Sequence, residues 1–231
     1  MEKIKIKTKY NMTTKQLTPE EYAQRNALGF EGDNFIFQSL KELVDTYKID
    51  YIVETGTYLG ATTIRLSDLA PVVTFENNLE YFTKAQKLIH TKPTKNQIEP
   101  YFMDSIKGID VFLGKQNKKY KGLFFLDAHW GNVCPLKDEL KTIARYEIKP
   151  VIAIHDWKVP NEPTLGYDSY NGQPFTYEWI KKEVEAIYGI DAYSYHYNSD
   201  KMSEGAKRGV IYIYPNKAKR APRKRKENPA K

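Results

Sequence analysis

From residue 33 onward, short apolar runs alternate with segments whose apolar residues recur at helical spacing. NFIFQSLKELVDTYKI sets Ile36, Leu40, Leu43, Val44 and Tyr47 on one helical face, and Asp33 stands where a cap is needed. Five runs then read as strands: YIVET, PVVTFE, PYFMD, GLFFLDA and PVIAIHD. Each is nearly continuous in apolar residues and ends on a polar or acidic one, the pattern of strands covered on both faces in a parallel sheet. Between them, segments 61–70, 79–90, 105–113 and 135–147 carry helical period. In the last, Pro135 suits a first helical turn and Leu136, Leu140, Ile143 and Ala144 form an apolar stripe. This alternation predicts right-handed crossovers and a doubly wound α/β sheet. Ligands of such sheets bind at the carboxyl ends of the strands.

The rhythm changes after the fifth run. Residues 158–176 are rich in Pro, Gly, Asn and Tyr and read as a long loop, with Tyr167, Tyr170 and Phe175 placed to act as a lid. A helix follows with Tyr177, Ile180, Val184, Ile187 and Tyr188 in register and Gly189 at its end. AYSYHYN and GVIYIYP, joined by a polar loop, then read as a closing antiparallel pair. The organisation expected is an N-terminal extension over 1–32, one domain over 33–216, and a disordered basic tail over 217–231.

The tail accounts for the charge. The chain of 231 residues has a formal charge of +7, and KAKRAPRKRKENPAK holds eight Lys or Arg and one Glu. The body is left with 28 basic and 28 acidic residues, so a nucleic-acid-binding body does not follow from net charge. The tail itself could meet nucleic acid or another anionic partner. With Cys134 as the only cysteine no intramolecular disulfide can form, and no stretch of about 18 apolar residues occurs. A cytoplasmic protein without a membrane span is expected.

The strand ends carry the chemistry. Glu54, Gly56 and Gly60 follow the first strand in ETGTYLG, where glycines allow unusual dihedrals and a close backbone approach to a ligand. Glu76 ends the second strand 22 residues later, where a carboxylate can accept both hydroxyls of a ribose. Tyr58 occupies the middle of the loop, where a dinucleotide fold wants glycine beside pyrophosphate. A cofactor with a ribose and no pyrophosphate fits better.

With these motifs, the acid in VVTFENN, the pair in YFMDS, the acid in FFLDAHW and the terminal hairpin, the chain resembles the class I S-adenosylmethionine-dependent methyltransferases over residues 33–216. Within them it looks nearest to small-molecule O-methyltransferases of the macrocin and catechol kinds. The resemblance implies a Rossmann-like seven-stranded sheet in the order 3-2-1-4-5-7-6 with strand 7 antiparallel. It implies S-adenosylmethionine as cofactor, with Glu54 near the methionine moiety, the backbone of Gly56, Thr57, Tyr58 and Gly60 around it, Glu76 on the ribose, and Asp104 with Ser105 near the adenine.

FLDAHW and AIHDWK end neighbouring strands and would gather Asp127, His129, His155 and Asp156 in one crevice. Such a set could bind a divalent ion or supply a histidine base, and either would activate a hydroxyl of a small-molecule or sugar acceptor. Asp127 and Asp156 match the metal-binding carboxylates of the catechol-type enzymes, which points to Mg²⁺ or another divalent metal. The amide ligand of those enzymes falls on Trp157, which cannot ligate. Trp130 and Trp157 could line the acceptor pocket or simply pack. A nucleic-acid methyltransferase using the tail, and a non-catalytic binding or assembly protein that keeps the fold, are the alternative functions.

Overall fold

Helix α1 (Asn34–Tyr47) begins where the Asp33 carboxylate accepts the free amides of Phe35 and Ile36, and it buries Ile36, Leu40, Leu43 and Val44. In this computed structural model, residues 27–117, 121–128 and 133–216 are described, with Gln24 and Lys119. The basic tail, His129 and Trp130 lie outside the described residues. Seven strands form the main sheet: β1 (Tyr51–Thr55), β2 (Val72–Glu76), β3 (Ile98–Phe102), β4 (Gly122–Leu126), β5 (Val151–Ile154), β6 (Tyr193–Tyr197) and β7 (Ile211–Pro215). Five further helices connect them: α2 (Ala61–Ser67), α3 (Leu79–Thr91), α4 (Ser105–Lys115), α5 (Leu136–Ala144) and α6 (Tyr177–Tyr188).

The strand order is β3-β2-β1-β4-β5-β7-β6. The pairs β1–β2, β1–β4, β2–β3 and β4–β5 are parallel, while β7 runs antiparallel to both β5 and β6. This is the expected doubly wound order with a reversed seventh strand.

Strand alternation divides the core into two layers. Val53, Phe124, Ile152 and Ile154 pack with Ile109, Leu113, Leu140, Ile143, Ile180 and Val184 from α4, α5 and α6. Ile52, Leu123, Phe125, Val151 and Ala153 pack on the other side with Ile36, Leu40, Leu43 and Leu66 from α1 and α2. The central strands β1, β2, β4 and β5 are buried at every position, which is why they appear as unbroken apolar runs.

Three expectations need correction. The third strand is Ile98–Phe102 rather than PYFMD, and most of its residues are half-buried or exposed, because it lies at the sheet edge with β2 as its neighbour. An edge tolerates Pro100, which lacks an amide to donate. The proposed lid, 158–176, is tied down. Lys158 N donates to Phe175 O (3.0 Å), Gly166 N to Lys207 O (2.8 Å) and Asp168 N to Asp156 O (2.9 Å), while Leu165 and Phe175 are buried. The segment is a wall containing a short ribbon, Ser169–Tyr170 with Gln173–Pro174. Finally, packed structure begins before Asp33: Phe30 is buried and meets Phe125 edge to face at 5.5 Å. No helix among the described residues is long and apolar enough to cross a membrane.

Candidate functional site

The turn from β1 into α2 holds Gly56, Tyr58 and Gly60 at positive φ (82°, 50° and 84°). Glycine is required at 56, since a Cβ there would lie 2.5 Å from the Asp127 carbonyl oxygen. The contact follows from register: Thr55 pairs with Leu126, so the residues just beyond them, Gly56 and Asp127, emerge side by side. The loop is closed from the β2 side, where Glu76 accepts Tyr58 N through one oxygen and Asn78 N through the other, both at 2.8 Å. The Tyr58 ring stands edge-on to Tyr81 at 4.7 Å. Met103 N donates to Glu76 O (2.9 Å), which sets Asp104 beside the end of β2. Asp104 itself caps α4, accepting Ile106 N and Lys107 N, and Ser105 is buried.

Glu54 is built into this loop from beneath. Its Oε2 accepts the hydroxyls of Thr63 (2.5 Å) and Thr74 (2.7 Å), and Thr74 also meets the buried Thr57 hydroxyl at 2.6 Å. Burial pushes the Glu54 carboxyl up to about 8, against the two threonine hydrogen bonds that favour its ionised form. A glycine loop that a side chain at 56 would fill, with a carboxylate at the next strand end, suits a ribose-bearing cofactor. Glu76 keeps lone pairs for two hydroxyls beyond the two amides it already accepts.

The second half of the site stands at the ends of β4 and β5. Leu126 pairs with Ile154, so Asp127 and His155 leave the sheet together. His155 Nδ1 lies 3.3 Å from Asp127 Oδ1 and 3.4 Å from Asp156 Oδ1. Its ring is buried, and neither nitrogen has an aligned hydrogen-bond partner among the described residues. Burial, the largest influence, works against a charged ring. Asp127 and Asp156 overcome it and hold His155 well above the usual imidazole range. His155 thus stands directly behind Asp127, whose side chain is 28% exposed.

Three charged groups here were not singled out from the sequence. Arg208, just before β7, donates through Nε to Asp156 Oδ1 and through Nη2 to Asp168 Oδ1. Glu31 comes from the turn before α1; burial and then Asp156 raise its carboxyl, against the pull of His155 and Arg208. The β6–β7 loop holds that turn in place, Ala206 N donating to Glu31 O (3.2 Å) and Ser203 Oγ to Asp33 Oδ2 (2.7 Å). Nothing local marks these residues. Arg208 is separated from Asp156 by 52 positions and from Asp168 by 40.

Asp127, His155 and Asp156 each offer a ligand atom within 4.8 Å of the others, a spacing that can hold a metal ion. One ligand atom is already taken: Asp156 Oδ1 accepts the Arg208 guanidinium, so a metal there would compete with a resident cation. Trp157, at the position of the family's amide ligand, is fully buried against Phe175. It packs in the core and does not line a pocket.

No protein-family model matches the sequence, and no curated protein matches it significantly. Solved structures do. The O-methyltransferase from Bacillus cereus in complex with SAH aligns with 85% of this chain and 88% of its own, at 16% identity and a TM-score of 0.57. The O-methyltransferase TomG from Streptomyces achromogenes, involved in tomaymycin synthesis and solved with SAM, aligns with 79% of this chain and 80% of its own, at 14% identity and a TM-score of 0.54. Together with the strand order, these similarities establish that the chain has the fold of the class I S-adenosylmethionine-dependent methyltransferases.

Proposed function

We propose that the protein is an S-adenosylmethionine-dependent methyltransferase acting on a hydroxyl of a small molecule or sugar. The observation that carries this reading is the meeting of the two half-sites at one backbone contact, where Gly56 leaves no room for a Cβ against Asp127. A loop suited to the cofactor and a half-buried carboxylate suited to an acceptor therefore share one crevice. The SAH- and SAM-bound structures of the same fold support the choice of cofactor.

In this reading Glu76 accepts the ribose hydroxyls, Asp104 and Ser105 lie by the adenine, and the backbone from Gly56 to Gly60 wraps the methionine moiety above Glu54. When bound there, S-adenosylmethionine would supply an activated methyl group for the acceptor oxygen. Asp127 takes the proton leaving the acceptor hydroxyl. His155 holds Asp127 in position. His129, two places beyond Asp127 in the chain, is the second proton acceptor in this proposal. The divalent ion considered for Asp127 and Asp156 has no step here, because Arg208 already engages Asp156. A cytoplasmic site of action accords with the single cysteine.

Calorimetric titration of the full chain with S-adenosylmethionine, with NAD as control, tests the reading. We expect saturable binding of the first alone, weakened about tenfold or more in Glu76→Ala, since the ribose loses a charged hydrogen-bond partner. Absence of binding to the folded protein, or equal binding of NAD, would overturn it. A panel of hydroxylated acceptors then identifies the substrate class.

A further inference from the structure

Arg208 is held from both sides. Gly209, the next residue, donates to Gly166 O (2.9 Å) and accepts Trp157 N (2.8 Å), while the Arg208 carbonyl accepts the Asn198 side-chain amide (2.8 Å). Only glycine fits at 209, because a Cβ there would fall 1.9 Å from the Trp157 carbonyl oxygen. Asp168 is fixed on Asp156 by its own backbone amide. The guanidinium thus lies between two carboxylates whose backbones are bonded to each other, with its side chain only 19% exposed.

The same Asp156 Oδ1 that accepts Arg208 Nε is the oxygen facing His155 Nδ1. It is therefore shared by the guanidinium and the imidazole before any ion arrives. A divalent metal at Asp127, His155 and Asp156 would have to compete for Asp156 with a guanidinium whose position three backbone segments define.

We infer that Arg208 is the resident cation of this site, a positioning residue that holds Asp156 and Asp168 and keeps divalent metal out of the Asp127, His155 and Asp156 cluster. The inference deepens the proposed function by making the transfer metal-independent, but its test reads metal binding alone. Failure of either can therefore be told apart.

The experiment is titration of the full-length, chelator-stripped protein with Mn²⁺, followed by the paramagnetic resonance of the free ion, with circular dichroism and thermal melts as folding controls. Wild type should show no saturable site that depends on Asp156. Removal of the charge in Arg208→Gln should create one, about tenfold or more tighter than anything in wild type. Arg208→Gln with Asp156→Asn should lose that gain, and Arg208→Lys, which keeps the charge, should stay near wild type. A wild-type Mn²⁺ site abolished by Asp156→Asn, or a folded Arg208→Gln that gains no affinity, would overturn the inference. If Arg208→Gln does not fold, wild type against Asp156→Asn decides: an Asp156-dependent site refutes the role, and its absence supports it.

Discussion

The buried Glu54 carboxyl makes a prediction that can be worked through to a number. Its ordinary value of 4.5 is raised to about 8, chiefly by burial. Above 4.5 the unfolded chain releases this proton, whereas the folded chain keeps it until about 8. The folded state therefore binds more protons in that window, and stability falls as the pH rises through it. At pH 7 the loss relative to acid is on the order of 3 kcal/mol, at about 1.4 kcal/mol per unit. Glu54→Gln removes the titration while its amide oxygen can still accept Thr63 and Thr74. Its unpaired amide hydrogens add an offset that does not change with pH. Urea denaturation of both proteins between about pH 5 and pH 8 should show the variant gaining on wild type by about 3 kcal/mol over the series. Parallel stability curves would refute the reasoning, because they would show that Glu54 ionises in the folded protein as easily as outside it.

Gly56→Ala forces a Cβ against the Asp127 carbonyl at φ 82°, so urea melts should show a loss of at least about 1–3 kcal/mol. Calorimetry should show weakened S-adenosylmethionine binding in the same variant. Asp127→Asn should lower kcat by about 100-fold or more while leaving cofactor affinity nearly unchanged, as expected for loss of a proton acceptor. An unchanged kcat there, with a comparable fall in His129→Ala, would move that role to His129. Trp157→Ala empties a fully buried position and should cost about 3–5 kcal/mol by denaturant melts, with acceptor KM unaffected once the protein is folded.

Much of the fold was legible because the central strands are buried on both faces and carry few polar residues before they end. That same feature marked Glu54, Glu76 and Asp127: each acid interrupts or follows a run that otherwise excludes charge. The edge strand was less legible. Ile98–Phe102 has solvent on its free side, so its pattern is broken and its bounds shifted by two residues in the sequence reading. Glu31, Asp168 and Arg208 lie in segments where charge is ordinary, and only the folded backbone brings them to Asp156. Their grouping is a product of the closing hairpin and the pinned wall, and composition had suggested a lid for that wall.

Two departures from the catechol-type pattern share one structural cause. Trp157 stands where an amide ligand would be, and Arg208 stands where a metal's charge would be needed. The backbone bond from Trp157 N to Gly209 O joins the neighbourhoods of both residues. That pairing turns the indole into the core against Phe175 and brings the guanidinium onto Asp156. Restoring an amide at 157 would therefore not recreate a metal site while Arg208 remained. Trp157 and the internal cation at 208 are thus tied together by one backbone hydrogen bond just beyond the paired strands, and the site keeps a cation of its own.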